Sequence, residues 1–116
     1  MTGELGEEPT KFDEFELVIL VSGAHPPELD DEASALLHRR HLGHLQAMRR
    51  AGHIKVSGPL DEQPDPRMRG LSLYQVGSIE EARRLASLDP AVQAGRFALE
   101  IMKWYCPKGE VTFPGS

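Results

Sequence analysis

Four short apolar segments constrain the fold of this chain more than any single motif. Two longer segments with helical periodicity lie between them. Residues 15–22, FELVILVS, are apolar and rich in β-branched side chains, and the glycine and prolines of residues 23–27 then interrupt the pattern. Such a segment is typical of a buried strand. We predict three further strands, at residues 53–60, 69–76 and 97–104.

The two segments between these strands carry helix start and stop signals. Residues from 30 or 31 to 51 open with acidic side chains and end in a basic turn followed by Gly52, which predicts the longer helix. The sequence Ser78-Ile79-Glu80-Glu81 fits a capping box, in which serine and glutamate side chains satisfy free backbone amides. We predict a second helix from there to about Leu88, ended by Asp89-Pro90.

The resulting order, β-α-β-β-α-β, predicts an α+β ferredoxin-like fold: a four-stranded antiparallel sheet with both helices on one face. The run Leu17 to Val21 places apolar side chains on both sides of the first strand, so the helix-free face should also be covered. A second copy meeting it across a two-fold axis would cover it, and we therefore expect a homodimer, a dimeric α+β barrel. We assign residues 15–105 to the barrel domain, 1–14 to an acidic N-terminal extension and 106–116 to a C-terminal tail.

Composition excludes several classes of function. The 116 residues include 18 acidic and 13 basic side chains, giving a net charge of -5, the wrong sign for holding nucleic acid. No apolar run is long enough to cross a bilayer, and no signal peptide is present, so we expect a soluble cytoplasmic protein without a membrane partner. The one cysteine, Cys106, cannot form an internal disulfide, which agrees with a reducing compartment.

Four of the five histidines lie between residues 38 and 53. At 100° per residue, His41 and His44 fall on the apolar side of the long helix, with His38 at its edge. Burial disfavours a charged imidazole, so an inward histidine requires a hydrogen-bond partner, a carboxylate or a pocket containing water. Position alone leaves two interpretations open, a hydrogen-bonded core residue and a catalytic one.

Two runs carry a resemblance to a known family. HLGHLQAMRRAGHIKVSGPL, residues 41–60, resembles the YCII-related (YciI-like) family, whose members have a His-Leu pair in the first helix, a glycine at its end and a Gly-Pro after the next strand. SIEEARRLASLDPAVQAGRF, residues 78–97, is similar to the family's capped second helix, Asp-Pro step and following glycine. The resemblance spans most of residues 15–105. It implies a dimeric α+β barrel with a His-Asp pair, here His41 and Asp89, and related barrels include small-molecule isomerases and a dehydrochlorinase of hydroxylated aromatic rings.

Such a pair suits proton transfer. A buried carboxylate fixes the tautomer of the imidazole and raises its basicity, which leaves the other ring nitrogen to move a proton on a substrate. We therefore expect His41 and Asp89 to perform cofactor-independent acid-base chemistry, an isomerisation or elimination, on a small molecule. An aspartate before a proline also commonly closes a turn. The alternative is a non-catalytic ligand-binding or interaction module in which His41 is a core residue.

Three further residues are candidates for substrate contact: Ser57, Arg69 and His44. Ser57 lies at the end of the second strand, where its hydroxyl can reach a pocket between sheet and helix, and Arg69 beside the connector can bind an anionic group. The spacing of His38, His41 and His44 allows a metal-binding pair, but no cysteine or acidic metal motif accompanies it. We therefore predict no metal site.

Overall fold

The computed structural model describes residues 11–114, in which two helices and one helical turn pack on one side of a four-stranded sheet. The elements are β1 (Phe12–Ser22), α1 (Asp31–Arg50), β2 (Ile54–Pro59), β3 (Met68–Tyr74), α2 (Ile79–Ala86), α3 (Pro90–Gln93) and β4 (Phe97–Pro107). The strands are antiparallel and follow the order β2-β3-β1-β4. The predicted α+β ferredoxin-like fold is confirmed. Within the described range, no helix has the length and apolar character needed to span a membrane.

The helix boundaries follow from local capping. The Asp30 carboxylate accepts a hydrogen bond from the Ala33 amide at 2.8 Å, and the Ser78 hydroxyl accepts one from the Glu81 amide at 3.1 Å. The Asp89-Pro90 step does more than end α2, which stops at Ala86. Asp89 caps the short helix α3, which the sequence did not predict, with Pro90 in its first turn, where no amide donor is required.

The core between helices and sheet is apolar and continuous. Val18 of β1 and Tyr74 of β3 are almost fully buried there against the inner face of α2. Successive side chains of a strand point to opposite faces, so Ile19 and Val21, which are also buried, face away from the helices. Both faces of β1 are therefore protected from water, as its unbroken apolar run predicts.

On the helix-free face, the residues after β4 cover the end of the sheet that holds Phe15. Val111 and Phe113, which follow β4, pack against a cluster of Phe15, Leu73 and Cys106, and the rings of Phe15 and Phe113 meet edge to face at 5.9 Å. The residues after β4 thus contribute to the core. On the two edge strands of this face, β2 and β4, three large side chains remain exposed by 40 to 46%: Val56, Met102 and Trp104.

The end of β1 crosses very close to the turn before β4. The Gly23 amide donates a hydrogen bond to the Arg96 carbonyl at 2.9 Å. A Cβ atom at Gly23 would lie 1.9 Å from the Gly95 carbonyl oxygen, and Gly95 itself has a φ of +86°, a conformation that favours glycine. This crossing fixes the segment that leads into β4.

We expect Gly23→Ala to lower the free energy of unfolding by about 1–3 kcal/mol, because the added methyl group overlaps backbone that cannot yield without moving the turn. Gly43→Ala is the matched control: it lies inside α1 with no atom near the new Cβ, so it should raise stability by up to about 1 kcal/mol. Urea denaturation followed by circular dichroism measures both. Equal effects of the two substitutions would contradict the close crossing.

Candidate functional site

A cavity of about 810 Å³ opens between α1 and the helix-facing side of the sheet. Its wall is formed by the ends of β1, β2 and β3, the Pro26-Pro27 loop, the middle of α1 and the start of β4. Its polar wall residues are Ser22, His38, His41, Ser57, Arg69, Ser72 and Arg96. A concave, partly apolar site of this size with a few convergent polar groups is typical of small-molecule binding.

His41 and Asp89 form a buried pair beside this cavity. His41 Nδ1 lies 2.6 Å from Asp89 Oδ2, and the side chains are only 10% and 2% exposed. The second oxygen of Asp89 accepts a hydrogen bond from the Ala91 amide at 2.9 Å. A carboxylate held in this way favours the tautomer with the proton on Nδ1 of the imidazole, which leaves Nε2 as a hydrogen-bond acceptor. Phe97 packs edge-on against the His41 ring, with centroids 5.3 Å apart.

Local folding explains why both groups reach this point. His41 projects from the inner face of α1 at mid-helix, so no fraying at a helix end moves it. Asp89 is the N-cap of α3, and Pro90 after it fixes the backbone in the conformation that a cap requires. The turn-closing role and the partner role that the sequence left as alternatives are both filled by Asp89, through different oxygens.

Two further histidines lie on the same helix. His38, one turn before His41, is exposed, lines the cavity and stands 6.2 Å from His41 between ring centroids. His44 is partly buried and does not line the cavity, and its Nε2 has no hydrogen-bond partner among the described residues. Burial is the main cause that lowers the pKa of His44 below its ordinary value of 6.5; nearby Asp89 opposes this shift and His41 adds to it.

Tyr74 is a further ionisable group near the pair of His41 and Asp89. It is almost fully buried in the core, and burial, followed by the negative charge of Asp89, raises the pKa of its hydroxyl well above the ordinary value. Tyr74 therefore remains a neutral phenol at physiological pH and does not act as a base.

The structure brings together most of the residues proposed from the sequence. His41, Ser57 and Arg69 share the cavity wall, and Asp89 lies directly behind His41. His44 makes no contact with the cavity, so its role in substrate binding stays a prediction. No group of three or more His, Cys, Asp or Glu side chains in residues 11–114 is arranged to hold a metal ion.

Sequence reasoning missed three polar wall residues, Ser22, Ser72 and Arg96. Ser72 is the cross-strand neighbour of Ser57. It lies two residues before Tyr74 on β3, so strand alternation puts its side chain on the same helix-facing side. Alternation along β3 was thus a usable signal. Arg96 follows a glycine turn, and no periodic pattern indicates its direction.

Replacing His44 tests its protonation state in the core. Because its pKa is lowered on folding, the unfolded chain binds a proton first as the pH falls through about 6.5, and this destabilises the folded state at acid pH. We expect His44→Leu to be more stable than the wild type, by about 1 kcal/mol at neutral pH because an unpartnered ring nitrogen is removed, and by more near pH 5.5. Urea denaturation across this range measures the difference.

The control for this prediction is His25→Gln, in the exposed loop after β1. As a surface substitution it should change the free energy of unfolding by less than about 0.5 kcal/mol. If His44→Leu and the wild type lose stability in parallel as the pH falls, His44 does not titrate as described.

Comparisons with known proteins agree with this architecture. No curated protein matches the sequence. Among solved structures, the chain is similar to 5-chloro-2-hydroxyhydroquinone dehydrochlorinase (TftG) from Burkholderia phenoliruptrix AC1100, in complex with 2,5-dihydroxybenzoquinone. The two are 21% identical, the match covers 78% of this chain and 92% of the other, and the TM-score is 0.55, so the likeness concerns the fold. The family model of the YCII-related domain matches residues 17–105, and the chain therefore belongs to the YCII-related family.

Proposed function

We propose that this protein is a small-molecule enzyme in which His41, held by Asp89, transfers a proton on a substrate bound in the cavity, without a cofactor. The observation that carries the proposal is the 2.6 Å contact between His41 Nδ1 and a buried carboxylate, with the same histidine in the cavity wall. The distance is that of a charge-assisted hydrogen bond. A base held in this way needs little reorganisation when it accepts a proton.

The chemistry is a proton transfer in two directions. Nε2 of His41 accepts a proton from a carbon of the substrate, and the imidazolium that forms is stabilised by the Asp89 carboxylate. In an elimination, the electron pair of the broken C–H bond forms a C=C bond and expels a leaving group, and the imidazolium gives its proton to that group or to water. In an isomerisation, the imidazolium returns the proton to a different carbon. The hydroxyls of Ser57 and Ser72 and the guanidinium of Arg69 supply hydrogen bonds to substrate oxygens.

The similar solved structure supports the elimination reaction and an aromatic substrate. That protein is named as a dehydrochlorinase, and its ligand is a hydroxylated six-membered quinone ring. The cavity, at about 810 Å³, has room for a ring of this size with its substituents. The apolar wall residues Leu20, Leu45 and Phe97 suit the faces of such a ring.

We also propose that two copies pair through the helix-free face and that the protein acts in the cytoplasm. Val56 on one edge strand and Met102 and Trp104 on the other leave apolar side chains exposed on that face. A second copy would cover it in a self-complementary way across a two-fold axis. The single cysteine is buried and free, which suits a reducing compartment.

The first experiment compares turnover by wild type, His41→Gln and Asp89→Asn in a screen of hydroxylated aromatic compounds and small unsaturated acids. Asparagine is also a good N-cap, so Asp89→Asn keeps α3 while removing the charge behind His41. We expect kcat to fall by about 10²–10⁴-fold in both variants. His53→Gln, outside the cavity wall, should retain activity. Turnover that survives both substitutions contradicts the proposal, and binding without turnover of any compound favours a ligand-binding module.

The dimer is tested by one pair of neighbouring residues. Trp104 and Tyr105 are 40% and 47% exposed and point to opposite faces of β4. Light scattering of the wild type at micromolar concentration should give twice the chain mass of 12.9 kDa. Trp104→Lys should give the monomer mass because it places a charge in the apolar interface, whereas Tyr105→Lys should remain dimeric. A monomeric wild type would refute the pairing.

A further inference from the structure

The cavity wall is cationic although the protein is acidic. The chain has a net charge of -5, yet the charged side chains on the wall are two arginines, Arg69 and Arg96. None of the wall residues is an aspartate or a glutamate. A concave site lined by one sign of charge concentrates ligands of the opposite sign. The wall therefore favours an anion.

Within the described part of the chain, the two wall arginines have no carboxylate partner, unlike Arg67, which binds Asp65 at 2.8 Å. Among the ion pairs of residues 11–114, none includes Arg69 or Arg96. The guanidinium of Arg96 donates one hydrogen bond, to the Ser34 hydroxyl at 2.6 Å. Its remaining N–H donors are available for an external acceptor.

Arg96 is held more firmly than Arg69. Its amide donates to the Ala91 carbonyl at 3.0 Å, and its carbonyl accepts from the Gly23 amide at 2.9 Å. Its side chain is half-buried and held by Ser34, whereas Arg69 is exposed at the rim. A guanidinium held in place before binding loses less conformational entropy when it binds a ligand. Arg96 is thus the better-organised anion-binding group of the two.

The position of Arg96 relative to His41 suits a small molecule. Ser34, His38 and His41 follow the spacing of one helix face, so the Ser34 hydroxyl that holds Arg96 lies two turns, about 10 Å along the axis, from His41. Phe97, the residue after Arg96, packs against the His41 ring and joins the two groups through one wall. A single-ring or short-chain acid bound at Arg96 by its charged end therefore extends toward His41.

From these contacts we infer that the substrate is a small organic carboxylate and that Arg96 is the specificity-determining residue that binds its charged oxygens. The planar guanidinium matches the two oxygens of a carboxylate. The inference rests on the proposed function of the same cavity and adds the substrate class to it. His41 acts at the end of the substrate remote from the charge, and Arg69 at the rim adds to the positive field that attracts the acid.

Binding measurements with matched acids and amides test the inference without requiring turnover. Isothermal titration calorimetry is performed with three pairs: benzoate and benzamide, 2,5-dihydroxybenzoate and its amide, and but-3-enoate and its amide. Each pair has nearly the same shape and differs in charge. We expect at least one acid to bind the wild type about 10-fold or more tightly than its amide, because hydrogen bonds to a charged group are the stronger ones. In Arg96→Gln this preference should fall to about 2-fold or less.

Three further variants control the comparison. Arg67→Gln removes an arginine that lies outside the cavity wall and should keep the full preference for the acid. Arg96→Lys keeps the charge without the planar fork, and Ser34→Ala keeps the guanidinium without its anchor, so both should retain part of the preference. Circular dichroism and thermal unfolding establish that each variant is folded. If Arg96→Gln does not fold, a reduced preference in Arg96→Lys and Ser34→Ala carries the same conclusion.

Three outcomes would overturn the inference. They are amides that bind the wild type as tightly as the acids, the absence of binding by every acid up to about 10 mM, and a preference for acids that survives in Arg96→Gln. His41→Gln separates this inference from the proposed reaction. It should lose turnover but keep the preference for acids. If the preference depends on Arg96 while turnover survives in His41→Gln, the proposed base is refuted and the anion site stands.

Discussion

The hydrogen bond between His41 and Asp89 is the contact on which the rest of the site depends. It joins two elements that share no local sequence, since its partners are 48 residues apart in the chain. One oxygen of Asp89 holds the imidazole while the other caps α3, so the carboxylate is stabilised from two sides in a place from which water is largely excluded. A buried carboxylate without these donors would be strongly unfavourable. The helical turn and the candidate base therefore support each other.

The cavity in front of this pair is the part of the space between helices and sheet that side chains leave unfilled. The inner side of the sheet is filled by α2 and by the large side chain of Tyr74 at one end, while at the other end α1 and the strand ends leave the space open. The close crossing of Gly23 over the turn at Gly95 fixes the start of β4 and, with it, the position of Arg96. A rigid frame of this kind keeps binding groups in place before a ligand arrives. The cationic wall and the candidate base consequently face the same space.

Local patterns predicted which helices and strands form more accurately than they predicted where the strands begin and end. The capping signals at Asp30 and Ser78 placed the starts of α1 and α2 correctly, because a cap is a contact between residues three apart. Strand ends were less accurate: β1 begins at Phe12 and β4 continues to Pro107, both beyond their predicted limits. These extensions pair with each other along the two strands, and such pairing depends on a distant segment that no local pattern reveals.

The sequence by itself determined the order of the four strands and of α1 and α2, the inward direction of His41 and the family to which the chain belongs. All three follow from residues close together in the chain, where periodicity, caps and short motifs operate. The family resemblance already implied the pairing of His41 with Asp89. Only the tertiary structure decided that Arg96 reaches the cavity and that His44, three residues from His41 on the same apolar side, does not line it. These outcomes depend on how α1 lies across the sheet and on where α3 packs. Those positions arise from many long-range contacts at once, so no stretch of neighbouring residues encodes them alone.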